Sequence, residues 1–175
     1  MNTPIKVLTN GNKRLEIYFD NDPQSPREWD NLGTMYCFHR RYNFGDTHDL
    51  TLDEAKKIED SKDYISLPIY IYDHSVQTIK TTPFSCPWDS GKLGFIAVSK
   101  EKVRKTYGWK VITKKRKEQI KQYLLGEVET YDTYIRGDVY GFTLFENDVE
   151  TDSCWGFFGS DHKASGLFDN AGWVE

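Results

Sequence analysis

The sequence predicts an α+β domain: a mostly antiparallel sheet of about seven strands, one long helix packed on a face and two short helices. Three observations carry this prediction. Short apolar or alternating runs separated by turn residues recur along the chain, so hairpins dominate the strand pattern. One stretch, about residues 114–136, keeps helical spacing over many turns through Ile120, Leu124, Val128, Tyr131 and Ile135. No GxGxxG follows an apolar run, which leaves a Rossmann-type alternation as the weaker alternative.

Taken in order, residues 4–20 read as a hairpin. A short strand at 5–8 leads into the turn signal Asn10, Gly11, Asn12, after which Leu15, Ile17 and Phe19 alternate with Arg14, Glu16 and Tyr18. Pro23 and Pro26 mark a loop, and 32–38 reads as a strand. The polar segment 42–50 turns at Asn43, Phe44, Gly45 and Asp46. Thr51 with Glu54 three residues on is a capping box for a helix over 52–60. Residues 65–72 form the most apolar strand, in which Pro68 implies an edge position or a bulge. Asp73, His74 and Ser75 turn into a partner strand at 76–81. After a loop at 83–91 comes a strand at 93–98, then a helix over 100–107 capped by Ser99 and stopped by Gly108. Thr113 begins the long helix and Gly137 ends it. Gly126 inside it implies that something packs closely there. A last hairpin, 139–146 with 151–158, turns at Asn147 and Asp148. These elements are read as one domain over 1–160, with 161–175 a weakly structured tail.

Composition narrows the class. With 175 residues, 29% charged and 15% aromatic, the chain has core-forming runs and is not of disordered type. No apolar stretch approaches the about 20 residues that a membrane helix needs, and the first residues have no apolar signal core. A cytoplasmic protein without a membrane partner is expected. Cys37, Cys86 and Cys154 are widely spaced, which fits neither a disulfide framework nor a zinc knuckle. The net charge of −4 conceals an asymmetry. Residues 100–121 hold ten basic side chains against only Glu101 and Glu118, so the remainder is acidic, though too dilutely to imitate nucleic acid.

The densest functional chemistry lies at 27–49, where Trp29, Asp30, Asn31, Cys37, His39, Arg40, Arg41, Tyr42, Asp46 and His48 surround one short strand. Three more segments share an aromatic–Asp–His/Cys composition: Tyr72, Asp73, His74; Cys86, Trp88, Asp89; and Asp152, Cys154, Trp155. Convergence of these loops would make a polar pocket with aromatic walls; otherwise each Asp caps its own turn. Arg40, Arg41 and Tyr42 offer guanidinium forks and a stacking ring for an anionic partner. The second candidate surface is Lys114, Lys115, Arg116 and Lys117, with Tyr107 and Trp109 interleaved nearby for stacking on nucleic acid; the alternative is the solvated face of an amphipathic helix. No cofactor is expected. A divalent metal held by His39, His48, Asp73 and His74, serving a hydrolase, is the main rival, although no pair has HxxxH spacing. A Cys–His nucleophile is a further alternative. A structural protein without a site would instead bury Trp29, Trp88 and Trp155 and keep the Asp-bearing loops apart.

The strings SPREWDNLGTMYCFHRRYNFGD, LPIYIYDHS, PFSCPWDSGKLGFI, VSKEKVRKTYG and DSCWGFFG resemble a family of small proteins carried by bacterial phages and other mobile elements. The resemblance spans about residues 15–159. The family brings a context and no catalytic residues: accessory proteins of this size act on the host, including its restriction, CRISPR or nucleotide-signalling defences. The resemblance therefore implies a partner that is a host protein, nucleic acid or nucleotide, and a counter-defence role.

Overall fold

The computed structural model describes residues 3–86 and 88–174. Pro87, in the expected loop at 83–91, lies outside the described residues. The fold is α+β, and the described residues form eight strands in two antiparallel four-stranded sheets and four α-helices, one of them long. The strands are β1 (Lys6–Asn10), β2 (Lys13–Phe19), β3 (Thr34–Cys37), β4 (Tyr64–Asp73), β5 (Gln77–Lys80), β6 (Ser90–Ser99), β7 (Val139–Glu146) and β8 (Val149–Phe158). The helices are α1 (Leu52–Glu59), α2 (Lys100–Tyr107), α3 (Lys114–Ile135) and α4 (Leu167–Asn170). The chain forms two compact units, Met1–Ser25 with Thr133–Glu175, and Pro26–Asp132, where the sequence pattern suggested one domain.

The discontinuous unit holds the sheet β1-β2-β7-β8. Alternation in β2 buries Leu15 and Ile17 on one face, where they meet Tyr140 and Phe142 of β7. The same cluster takes in Leu167, Phe168 and Ala171, so residues 161–174, expected as part of a weakly structured tail, contribute a short helix to the core. Asn147 and Asp148, with φ of 52° and 61°, make the tight β7–β8 turn that their residue types announce. On the opposite sheet face Trp155 lies across Gly141, where a Cβ would come within 2.1 Å of the indole.

The continuous unit holds the sheet β3-β6-β4-β5. Pro68 sits where β4 has a neighbour on one side only, because β5 pairs from Tyr70 onward, and the β4–β6 register shifts at Ile69/Tyr70. Both options read from that proline are thus met locally. The caps form as expected: Thr51 and Glu54 complete a capping box on α1, Ser99 accepts from the Lys102 amide at the start of α2, and Thr113 accepts from the Arg116 amide at the start of α3. The α3 stripe of Ile120, Leu124, Val128 and Tyr131 is buried. Leu124 packs so near Gly33 and Ile96 that a Cβ at Gly33 would lie 2.6 Å from its Cδ2. Close packing at Gly126 is not found: nothing lies within 4 Å of where its Cβ would stand. That glycine only weakens the helix, so Gly126→Ala is expected to raise stability by about 1 kcal/mol, read as a higher denaturant midpoint with unchanged m-value.

Candidate functional site

The 27–49 segment is organised by one cation. Arg27 follows Pro26 in a single 3-10 turn, Pro26–Glu28, and its side chain is only 5% exposed. Its Nε and Nη2 donate to the two Asp46 oxygens at 3.1 and 2.6 Å, Nη1 donates to Glu127 Oε2 at 3.0 Å, and Nη2 also donates to Gly33 O at 2.8 Å. The carboxylates are completed by the backbone. Glu127 Oε1 accepts from the Leu32 and Gly33 amides at 2.8 and 3.1 Å, and Asp46 Oδ2 accepts from the Met35 amide at 2.6 Å. Burial opposes the guanidinium charge, but the bonds to Asp46 and Glu127 outweigh it and hold the Arg27 pKa above its ordinary value. Asp46, a candidate for binding in the sequence, is therefore engaged inside the fold.

This clamp brings the polar loop back against β3. Gly45 bridges Tyr36, and its amide donates to the Tyr131 hydroxyl on α3 at 3.0 Å. Its φ of 75°, and the Met35 carbonyl 2.7 Å from where a Cβ would stand, leave no room for a side chain. The returning loop encloses an open cavity of about 690 Å³ walled by residues between Cys37 and Leu52, including Phe38, His39, Arg40, Tyr42, Phe44 and His48. That size suits a small organic ligand.

His39 is the pin of the loop tip. Its Nδ1 accepts from the amides of Arg41 and Tyr42, each at 3.2 Å, which places the ring proton on Nε2, 3.4 Å from Asp73 Oδ2. Tyr42 stacks on the imidazole at 5.2 Å between centroids and Phe44 meets it edge-on at 5.5 Å. Asp73 also accepts from Arg41 Nη2 at 2.6 Å and from Gln77 Nε2 at 3.0 Å. These partners, Gln77 foremost, hold its carboxyl below the usual aspartate range. The third loop joins through the backbone, where the Asp73 amide donates to Asp89 O at 2.8 Å. Asp89 Oδ2 lies 3.8 Å from both His74 Nδ1 and Cys86 Sγ. Trp88, next to it, is 90% exposed.

Three of the four aromatic–Asp segments thus converge in the continuous unit, at 39–46, at 73–77 and at Cys86 with Asp89. The fourth, around Asp152 and Trp155, belongs to β8 of the other unit. Trp29 and Trp155 are 44% and 46% exposed, so neither they nor Trp88 behave as the core residues that a site-free protein would have. His48 sits inward of the loop, its ring 4.9 Å from Phe38, with Nε2 3.3 Å from Cys37 O and Nδ1 buried without a partner. Among the described residues no three His, Cys, Asp or Glu side chains gather as a metal site. Neither ring nitrogen of His39 is left for a nucleophile, and burial pushes the Cys37 thiol up to about 12. Arg40 alone of the arginine pair stands exposed with no partner among the described residues.

The basic lobe is a separate surface of the same unit. Lys114, Lys115 and Lys117 are exposed in the first turn of α3, and no acidic residue shares that turn. Arg116 instead folds back: its guanidinium lies 4.6 Å over the Trp109 ring and donates to Val111 O at 2.8 Å. Trp109 stacks on Tyr107 at 4.6 Å, and Tyr107 on Tyr123 at 6.1 Å. Arg104, Lys105 and Lys110 are exposed alongside, and none of them forms an ion pair among the described residues.

Sequence reasoning placed the segment and missed its anchor. Arg27 stood in the quoted stretch, but Glu127 is 100 residues away and reads as one more helix-surface charge. The one local signal was Arg27 just after a proline and ahead of an apolar strand. No protein-family model, curated protein or solved structure matches the chain. Nor is any helix among the described residues long and apolar enough to cross a membrane.

Removing a buried cation while leaving its carboxylates in place costs about 3–5 kcal/mol. Arg27→Gln should therefore fall near the lower end of that range in denaturant unfolding, with Glu127→Gln losing less. Cys37 should remain unalkylated by iodoacetamide in the native protein near pH 8 and react on denaturation; native labelling by intact-mass analysis would contradict its burial.

Proposed function

We propose that the chain is a phage or mobile-element accessory protein that works without catalysis, by binding nucleic acid in the host cell through the basic lobe of α2 and the start of α3. The observation that carries this reading is the placement of Lys114, Lys115 and Lys117. A helix N-terminus already carries about half a positive charge, and each like charge added there costs roughly 0.3–1 kcal/mol at low salt. The first turn of α3 adds cations where the helix disfavours them and supplies no acid to offset them. A phosphate chain relieves that conflict and is attracted by the helix dipole as well.

Two further features support the reading. The Tyr107–Trp109–Tyr123 stack ties α2 to α3, so the cations of both helices share one surface. Half of Tyr123 remains exposed at the end of that stack, where an unpaired base can meet it. The acidic remainder of the chain, at a net charge of −4 overall, confines attraction to this lobe and limits indiscriminate adhesion. The resemblance to mobile-element proteins fits a host target, with interference in host defence as the role.

Electrophoretic mobility shift with a labelled duplex and its single strand tests the reading. The triple variant Lys114→Glu, Lys115→Glu, Lys117→Glu should lose at least about tenfold in affinity and flatten the salt dependence by roughly three phosphate contacts. Binding that ignores salt, or that survives the triple variant, rejects the assignment; a fold check by circular dichroism accompanies it, since all three lysines are exposed.

A further inference from the structure

The geometry points to a second, independent binding site: the cavity of about 690 Å³ between Cys37 and Leu52 takes a mononucleotide, with its phosphate on Arg40 and its base against Phe38. The argument begins with charge. Asp46, the acid in the cavity wall, is neutralised by the Arg27 fork and the Met35 amide. Arg40 is exposed and has no partner among the described residues, so the charge left to act on a ligand there is positive.

The remaining wall is chosen for a ring with polar edges. Phe38, Tyr42 and His48 supply aromatic surface. Asn43 and Thr47 line the same space, exposed, with no side-chain hydrogen bond among the described residues, so an amide and a hydroxyl are free to pair with a base or a sugar. Next to them His48 Nδ1 is a buried polar atom that the chain leaves unsatisfied.

Orientation follows from the neighbouring cavity. Phe38 and Leu52 line both spaces, and the second, of about 790 Å³, carries Asp53, Glu59 and Asp60 together with Lys56 and Lys92, Lys92 pairing with Glu59 at 2.6 Å. Its acids still outnumber its bases by one, whereas Arg40 is an uncompensated cation of the first space. The phosphate is thereby directed to Arg40, and the less charged base lies toward Phe38.

Isothermal titration of the full chain with AMP, ATP, adenosine and inorganic phosphate tests the site. AMP and ATP are expected to bind more tightly than adenosine or phosphate alone. Arg40→Gln should weaken AMP by about tenfold while leaving adenosine unchanged. Leu52→Trp, on the exposed rim, should weaken both by placing bulk between the two cavities. Both positions are exposed, so equal thermal melts will exclude unfolding as the cause. The triple lysine variant of the basic lobe should titrate with AMP like the unaltered chain. Absence of nucleotide binding at millimolar concentration, unchanged AMP affinity in Arg40→Gln, phosphate binding as tightly as AMP, or loss of AMP binding in the triple lysine variant would each overturn the assignment.

Discussion

The continuous unit is built around a guanidinium that has been taken out of water. A buried arginine is tolerable only if its donors are filled and its charge is met, and Arg27 achieves both with two carboxylates and a backbone carbonyl. Each carboxylate in turn caps backbone amides that the end of a loop and the start of β3 would leave unpaired. One cation therefore fixes the entry to β3, the return of the 45–46 turn and the seat of α3 against the sheet. The glycines at 33 and 45 belong to the same constraint, since both lie where the helix and the loop are drawn too close for a Cβ.

Anchoring α3 in this way separates it into two working halves. Glu127, Val128, Tyr131 and Asp132 hold the C-terminal half: Asp132 Oδ1 receives the Thr78 hydroxyl and the Ile79 amide, both at 2.7 Å, which extends the attachment to β5. The N-terminal half contributes Ile120 and Leu124 to the core and otherwise presents lysine. Stability made by the first half permits an electrostatically unfavourable first turn in the second. A helix dependent on its own end charges for order would not tolerate four consecutive basic residues there.

Local structure was legible because its causes are local. A capping box, an Asn-Asp turn with positive φ and an apolar stripe at helical spacing each operate within a few residues, and all three are found where the sequence places them. What the sequence concealed depends on distance. Alternation tells β2 which side chains to bury but not which strand to join, so the pairing of β2 with β7, and with it the division into two sheets, could not be read. Arg27 and Asp46 were both visible as charged loop residues, yet only the fold shows that one cancels the other. The same holds for His39, whose two ring nitrogens are occupied by its own loop and by Asp73. The last fifteen residues have too few apolar positions to signal order, although Leu167 and Phe168 suffice once a sheet exists to receive them.

The discontinuity of the first unit bears on how the chain emerges and folds. Residues 26–132 contain every strand of their own sheet, so that unit can condense as soon as it is synthesised. The β1–β2 hairpin is made ahead of that unit and must wait for β7: Arg14 meets Asp148 across a sequence separation of 134 residues. A two-stranded hairpin is marginal by itself in water. Until β7 arrives, its Leu15 and Ile17 face is uncovered and one of its edges is unpaired. The insertion thus makes strands synthesised ahead of it among the last to be secured, and sets a high contact order for one sheet and a lower one for the other.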